Sequence, residues 1–187
     1  MPEYTYTEID EIEDWIVAES IMQKFVLNNK KVDFSKIKIF LSDVDGVLTD
    51  AGMYYTEDGD EFKKFCTYDG MGFQLLQQTG VKVGILTSED KQLNRRRAKK
   101  LGLDFDFHGA KNKLQIVKDL CQKEKIFLDE VAYIGDDVNC FELLSNVGFA
   151  ACPNNAVAKI KTIPGILQLS KKGGEGVVRE FVEKILA

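Results

Sequence analysis

A chain of 187 residues with 44% hydrophobic content has the size of one domain with an appendage and enough apolar material for a sizeable core. Its formal charge of −5 is mixed along the sequence, with no basic run to track a phosphate backbone and no acidic tail, which argues against a nucleic-acid partner. Cys66, Cys121, Cys140 and Cys152 lack the close pairing of a zinc site and follow no secretory signal, and no apolar run approaches the roughly 20 residues of a membrane span. Reduced thiols, a soluble chain without membrane partners and a cytoplasmic location are expected.

Residues 1–36 begin polar and acidic, then place Ile12, Trp15, Ile16, Ile21, Met22, Phe25 and Val26 at loosely helical spacing, which predicts an amphipathic helical extension packed on the main domain or on a neighbouring subunit. From Ile37 the pattern changes. Ile37, Ile39, Phe40 and Leu41 read as a buried strand that delivers Ser42-Asp43-Val44-Asp45-Gly46 at its carboxyl end. Met53 to Tyr55, a turn through Asp58-Gly59 and Phe62 to Cys66 predict a projecting β-hairpin. A helix over 72–78, a strand over 81–86, a basic helix over 91–101, a helix over 113–123, a strand over 131–134 and a helix over 141–147 follow. The tail adds short strands near Phe149 and over 166–169 and a closing helix over 177–186. This alternation across 37–187 predicts an α/β domain built on a doubly wound, Rossmann-like parallel sheet.

Several residues at predicted strand ends could carry chemistry, since ligands of open α/β sheets bind beyond the carboxyl ends of the strands. Asp43 and Asp45 flank a residue that would face away in extended geometry, so both carboxylates can face one site. Carboxylates this close repel unless a cation or a shared proton intervenes, which points to Mg²⁺ or to an acid/base division of labour; a polar turn bonded to its own backbone is the alternative. Thr87-Ser88 could bind phosphate oxygens or merely cap a helix. Lys113 could neutralise a phosphate or lie on the surface. Gly135-Asp136-Asp137 closes another buried strand with two hard oxygen ligands suited to Mg²⁺.

Taken together, Asp-x-Asp-Gly after the first strand, Thr87 after a later one, Lys113 on a helix and Gly135-Asp136-Asp137 after another strand resemble the haloacid dehalogenase superfamily, with Asp43-Val44-Asp45-Gly46-Val47-Leu48-Thr49-Asp50 as the most specific piece. The resemblance spans about residues 37–187. It implies a phosphatase in which Asp43 attacks phosphorus and Asp45 moves the proton. It also implies Mg²⁺ on Asp43, the backbone carbonyl of Asp45 and Asp136, with Asp137 in support, and Thr87, Ser88 and Lys113 on the phosphoryl group.

No insertion large enough for a cap domain separates the hairpin from Thr87. This organisation, with Gly173-Gly174-Glu175-Gly176-Val177-Val178-Arg179-Glu180 near the end, is similar to the tetrameric sugar-acid phosphatases of that superfamily, whose neighbouring subunits cover the active site. The resemblance implies a homotetramer acting on a phosphorylated 2-keto-3-deoxy sugar acid. Where the octulosonate enzymes carry Thr-Gly-Arg, this chain has Thr87-Ser88-Glu89, followed by Arg97 and Lys100. That trio is similar to a nine-carbon phosphatase, with Glu89 for sugar hydroxyls and Arg97 or Lys100 for the carboxylate; the basic helix could also be simply solvated. A nine-carbon acid 9-phosphate is therefore expected ahead of 3-deoxy-manno-octulosonate 8-phosphate. Cys140 stands where relatives often have a further Asp, and a small buried thiol is expected there. Two readings compete: a catalytically silent oligomerisation module like that fused to animal sialic-acid cytidylyltransferases, and a phosphorylation-receiver domain. The retained Asp43 and Asp45 weigh against the first, and the order of the acidic motifs against the second.

Overall fold

The structure, a computed structural model, describes residues 11–22 and 33–187, and its contacts divide the chain into Met1–Asp33 and Phe34–Ala187. In the first unit, helix α1 (Ile12–Ile21) starts where the Glu11 N–H donates to Asp14 Oδ2 at 3.0 Å, satisfying one of the amides a helix start leaves open. Trp15, Ile16 and Val17 are exposed on this helix, on successive positions that no single stripe can gather. Phe25 and Val26 lie outside the described residues.

The second unit is built on a six-stranded sheet, β5 (Phe105–Phe107), β4 (Lys82–Leu86), β1 (Ile39–Ser42), β6 (Val131–Ile134), β7 (Phe149–Cys152) and β8 (Leu167–Gln168), with every neighbouring pair parallel. The central strands read as continuous apolar runs because both faces of the sheet are covered. Alternation along β1 sends Phe40 to one core, with Phe73, Val83 and Phe181, and Leu41 to the other, with Leu86, Val117 and Tyr133. Helices α2 (Thr67–Gln77), α3 (Gln92–Leu101) and α7 (Val177–Leu186) close the first face. Helices α4 (Lys113–Glu124), α5 (Phe141–Leu144) and α6 (Ala158–Lys161) close the second. The first face is pinned by aromatic contacts of Phe40 with Phe73 and Phe181, at centroid separations of 5.6 and 5.7 Å.

The hairpin pairs β2 (Tyr54–Tyr55) with β3 (Glu61–Phe62), setting Tyr54 opposite Phe62. Its second strand stops at Phe62, so residues 63–66 run on as irregular chain toward α2. Among the described residues no large cap accompanies it. Further expectations shift: helix α5 ends at Leu144 rather than Val147. Helix α2 begins at Thr67 rather than near Gly72, because Asp69 and Gly70 are buried in a packed first turn. Strand β5 is an addition: three residues at the sheet edge, supported on one side only, give too short an apolar pattern to read.

Register positions the site. Ser42 aligns with Ile85 on β4 and with Ile134 on β6, so β1 and β6 end level and β4 runs one residue further, to Leu86. Asp43, Thr87 and Asp136 therefore emerge on one sheet edge, at the point where strand order reverses about β1.

Candidate active site

The Asp43 carboxylate is held from both sides. The Val44 N–H donates to Oδ1 at 2.7 Å, and on Oδ2 converge the ammonium of Lys113 and, at 2.9 Å, the Cys140 thiol. Asp43 and Lys113 are 4% and 3% exposed, so each would pay a large desolvation cost without the other. Lys113 also donates to the Tyr133 hydroxyl at 3.2 Å and approaches Cys140 Sγ at 3.3 Å. Burial, the largest single influence, would make this ammonium easier to deprotonate, but the charges of and hydrogen bonds to Asp43 and Cys140 together outweigh it and its pKa is raised. Burial, reinforced by Asp43, pushes the Cys140 thiol up to about 12. Cys140 is thus a protonated, buried donor rather than a reactive thiolate, in line with the small buried thiol expected there.

Asp136 lies beside this pair, two residues beyond the end of β6. Burial, then the charges of Asp43 and Asp137, raises its pKa to about 7. Asp43, Asp136 and Cys140 each bring one potential ligand atom within 4.8 Å of the others. Two neighbouring carboxylate side chains at this separation fit a hard divalent cation, which prefers oxygen ligands and would offset the repulsion that Asp43 exerts on Asp136. Asp137 also lines the cleft beside them, and its Oδ1 accepts its neighbour Val138's N–H at 2.6 Å at the start of the turn that carries Cys140 back.

Asp45, Glu89, Thr87, Ser88 and Asn139 face the same cleft of about 220 Å³. Thr87 Oγ1 accepts the Glu89 N–H at 3.2 Å, leaving its own proton for an incoming anion. Ser88 is less available, since its hydroxyl donates to the Ala110 carbonyl at 3.2 Å and accepts from Asn139 at 3.1 Å. Lys63, which sequence reading missed, donates to Asp45 Oδ1 at 2.7 Å and to Glu89. Burial would lower its pKa, but hydrogen bonds and charge from Asp45 and Glu89 prevail and raise it. Nothing marks this residue in the sequence, because a lysine after a short hairpin strand is ordinary.

Two expected residues lie away from this cleft within the chain. Arg97 donates to the Cys66 carbonyl at 3.0 Å and sits over the Phe65 ring, docking α3 against the start of α2. Lys100 is exposed on α3. The glycine run of the tail packs in the same chain beneath the Asp43 loop: Gly174 N–H donates to the Val47 carbonyl at 2.9 Å, and a Cβ on Gly173 would stand 1.9 Å from the Gly46 carbonyl oxygen.

Comparison with known proteins assigns the lineage. A family model described as haloacid dehalogenase-like hydrolase matches residues 103–181. The 3-deoxy-D-manno-octulosonate 8-phosphate phosphatase of Haemophilus influenzae is 33% identical over 150 residues, covering 80% of this chain and 83% of that one. N-acylneuraminate cytidylyltransferase B of Danio rerio is 30% identical over 192 residues; the match takes in all of this chain but only 44% of that longer protein. The crystal structure of the octulosonate phosphatase from Moraxella catarrhalis, in complex with magnesium, phosphate and the sugar acid, superposes with a TM-score of 0.81 at 35% identity, covering 86% of this chain and 91% of that one. With an all-parallel sheet, no large cap and these relatives, the chain belongs to the haloacid dehalogenase-like hydrolases, among their phosphatases.

Proposed function

We propose that this chain is a Mg²⁺-dependent phosphatase of a phosphorylated 2-keto-3-deoxy sugar acid, working in the cytoplasm through an aspartyl phosphate on Asp43. The observation that carries the reading is the fixed carboxylate of Asp43, set by Val44, Lys113 and Cys140 on the sheet edge it shares with Asp136 and Thr87. Asp43 and Asp136, with the backbone carbonyl of Asp45, would hold Mg²⁺, which when bound offsets charge between the nucleophile and the phosphate.

An Asp43 oxygen bonds to phosphorus as the bond from phosphorus to the sugar oxygen breaks, and Asp45 gives its proton to that leaving oxygen. Asp45, now a carboxylate, takes a proton from water; the hydroxide attacks phosphorus, and the bond to Asp43 breaks to return the carboxylate and release inorganic phosphate. Thr87 and Lys113 orient and neutralise the phosphoryl group, with Ser88 at the rim.

Glu89, half-buried on the cleft wall, supports a nine-carbon acid 9-phosphate ahead of 3-deoxy-manno-octulosonate 8-phosphate, since its carboxylate can accept sugar hydroxyl bonds. Arg97 and Lys100 lie away from the cleft of their own chain, so a role on the substrate carboxylate requires that a neighbouring subunit supply them. A homotetramer whose subunits cover one another's open clefts satisfies that requirement. A silent oligomerisation module is the second reading, favoured by the match of the whole chain to part of the cytidylyltransferase.

Phosphate release with Mg²⁺ from deaminoneuraminate 9-phosphate, N-acetylneuraminate 9-phosphate, octulosonate 8-phosphate and hexose phosphates tests these readings. A nine-carbon preference is expected. An octulosonate preference would overturn the substrate assignment and keep the mechanism, and no turnover of any member would favour the silent module.

A further inference from the structure

Lys63 follows the hairpin strand β3, yet its side chain is 0% exposed and reaches inward. Its Nζ donates to Asp45 at 2.7 Å and to Glu89, and stands 4.0 Å from Glu61, whose other oxygen is bound by Lys91 at 2.9 Å. A buried ammonium among three carboxylates is stable only because it is paired, and it removes the repulsion that Asp45 and Glu89 would otherwise exert on one another. The pairing is selective for one oxygen. Both Lys63 and, at 3.4 Å, the Thr49 hydroxyl meet Asp45 Oδ1, whereas among the described residues no hydrogen bond is made to Oδ2. Lys63 is itself absent from the residues lining the cleft, so its action passes through Asp45 and Glu89.

We propose that Lys63 is a positioning residue that fixes the Asp45 carboxylate by Oδ1 and leaves Oδ2 to carry the proton to and from the reacting oxygens. This rests on the reading of Asp45 as the proton-transfer group. The hairpin thereby takes part in the chemistry of its own chain: it delivers the cation that orients the acid, and ties that acid to Glu89 on the cleft wall. A loosened Asp45 would still leave nucleophile, metal ligands and phosphate donors in place. The cost should then fall on the step that needs a proton delivered.

The test compares leaving groups. Loss of a general acid hurts departure of a sugar alkoxide and hardly affects a nitrophenolate, which leaves without a proton. The ratio kcat/KM reports steps up to departure of the leaving group and is blind to later hydrolysis of the aspartyl phosphate. With Lys63→Met, kcat/KM is expected to fall about 100-fold on the preferred sugar-acid phosphate and less than about fivefold on p-nitrophenyl phosphate. Lys63→Arg should restore much of the first loss. Should the Met variant fail to fold, as read by circular dichroism, Lys63→Gln carries the same comparison. Equal losses on both substrates, or none, overturn the proposal. Asp45→Asn, run in parallel, separates the two levels. A selective loss there beside a uniform loss in Lys63→Met overturns the role of Lys63 alone, and uniform losses in both overturn the acid role of Asp45 as well.

Discussion

Gly46 abuts Asp136 so closely that a Cβ on the glycine would stand 1.9 Å from the carboxylate oxygen Oδ2. The loop that carries Asp43 and Asp45 and the strand end that carries Asp136 can approach to ligand-sharing distance only because nothing occupies that space. Gly46 also has φ +79°, a conformation other residues adopt at a cost of about 1 kcal/mol or more. Gly46→Ala should therefore displace Asp136 and reduce Mg²⁺-dependent turnover on the order of 100-fold, the cost of a shift of about 1 Å at a reacting centre. Isothermal titration with Mg²⁺ should weaken in parallel; unchanged affinity and turnover would show that the two elements can move apart freely.

Asp43→Asn removes the proposed nucleophile but preserves shape and an acceptor for Val44. Turnover should drop by about 10⁴-fold or more, while the far-ultraviolet dichroism stays that of the parent. The melting temperature is expected to fall, since Lys113 is left in a buried site with its counter-ion gone. Substantial hydrolysis by a folded variant would remove Asp43 from the mechanism.

Glu89→Ala should discriminate between substrates. A lost charge-assisted hydrogen bond costs about 1.5–3 kcal/mol, so sugar-acid turnover is expected to fall roughly 10- to 100-fold. Phenyl phosphate, which offers no sugar hydroxyls, should be affected far less. Equal losses on the two would mean that Glu89 serves the site only through its bond to Lys63.

Asp69 gives a pH-dependent stability that is separate from the active site. It is buried on α2, accepts the Arg179 N–H of α7 at 3.0 Å on one oxygen, and has no partner for the other among the described residues. Burial raises its carboxyl from an ordinary 3.8 to about 6. The folded chain therefore holds this proton over a range where the unfolded chain has released it, and the stability associated with it is complete below about pH 4 and lost as pH rises through about 6. The span corresponds to about 3 kcal/mol at most. Urea melts of the parent and Asp69→Asn at pH 4.5 and 7.5 should show the parent losing ground to the variant at the higher pH. A constant difference would contradict the raised value.

Elements whose signal is local can be read from the order of the residues alone. Ile39-Phe40-Leu41 and Val131-Ala132-Tyr133-Ile134 read as buried strands because parallel strands covered on both faces are apolar throughout, and the acids just beyond them mark the ligand-binding edge. Asp43, Asp45, Thr87, Lys113 and Asp136 were legible because they stand at fixed offsets from those strands and helix starts. Features that depend on distant segments meeting emerge only from the folded chain. Lys63 is paired with residues 18 and 26 positions away along the chain, and nothing in its own neighbourhood distinguishes it from a solvated lysine. Helix α2 starts early because Asp69 finds an amide 110 residues further on, and Arg97 turns away from the cleft because the Cys66 carbonyl and Phe65 ring take it. Periodicity records which face of an element is buried, whereas the partner of a charged side chain is set by the packing of the elements, which no local pattern encodes.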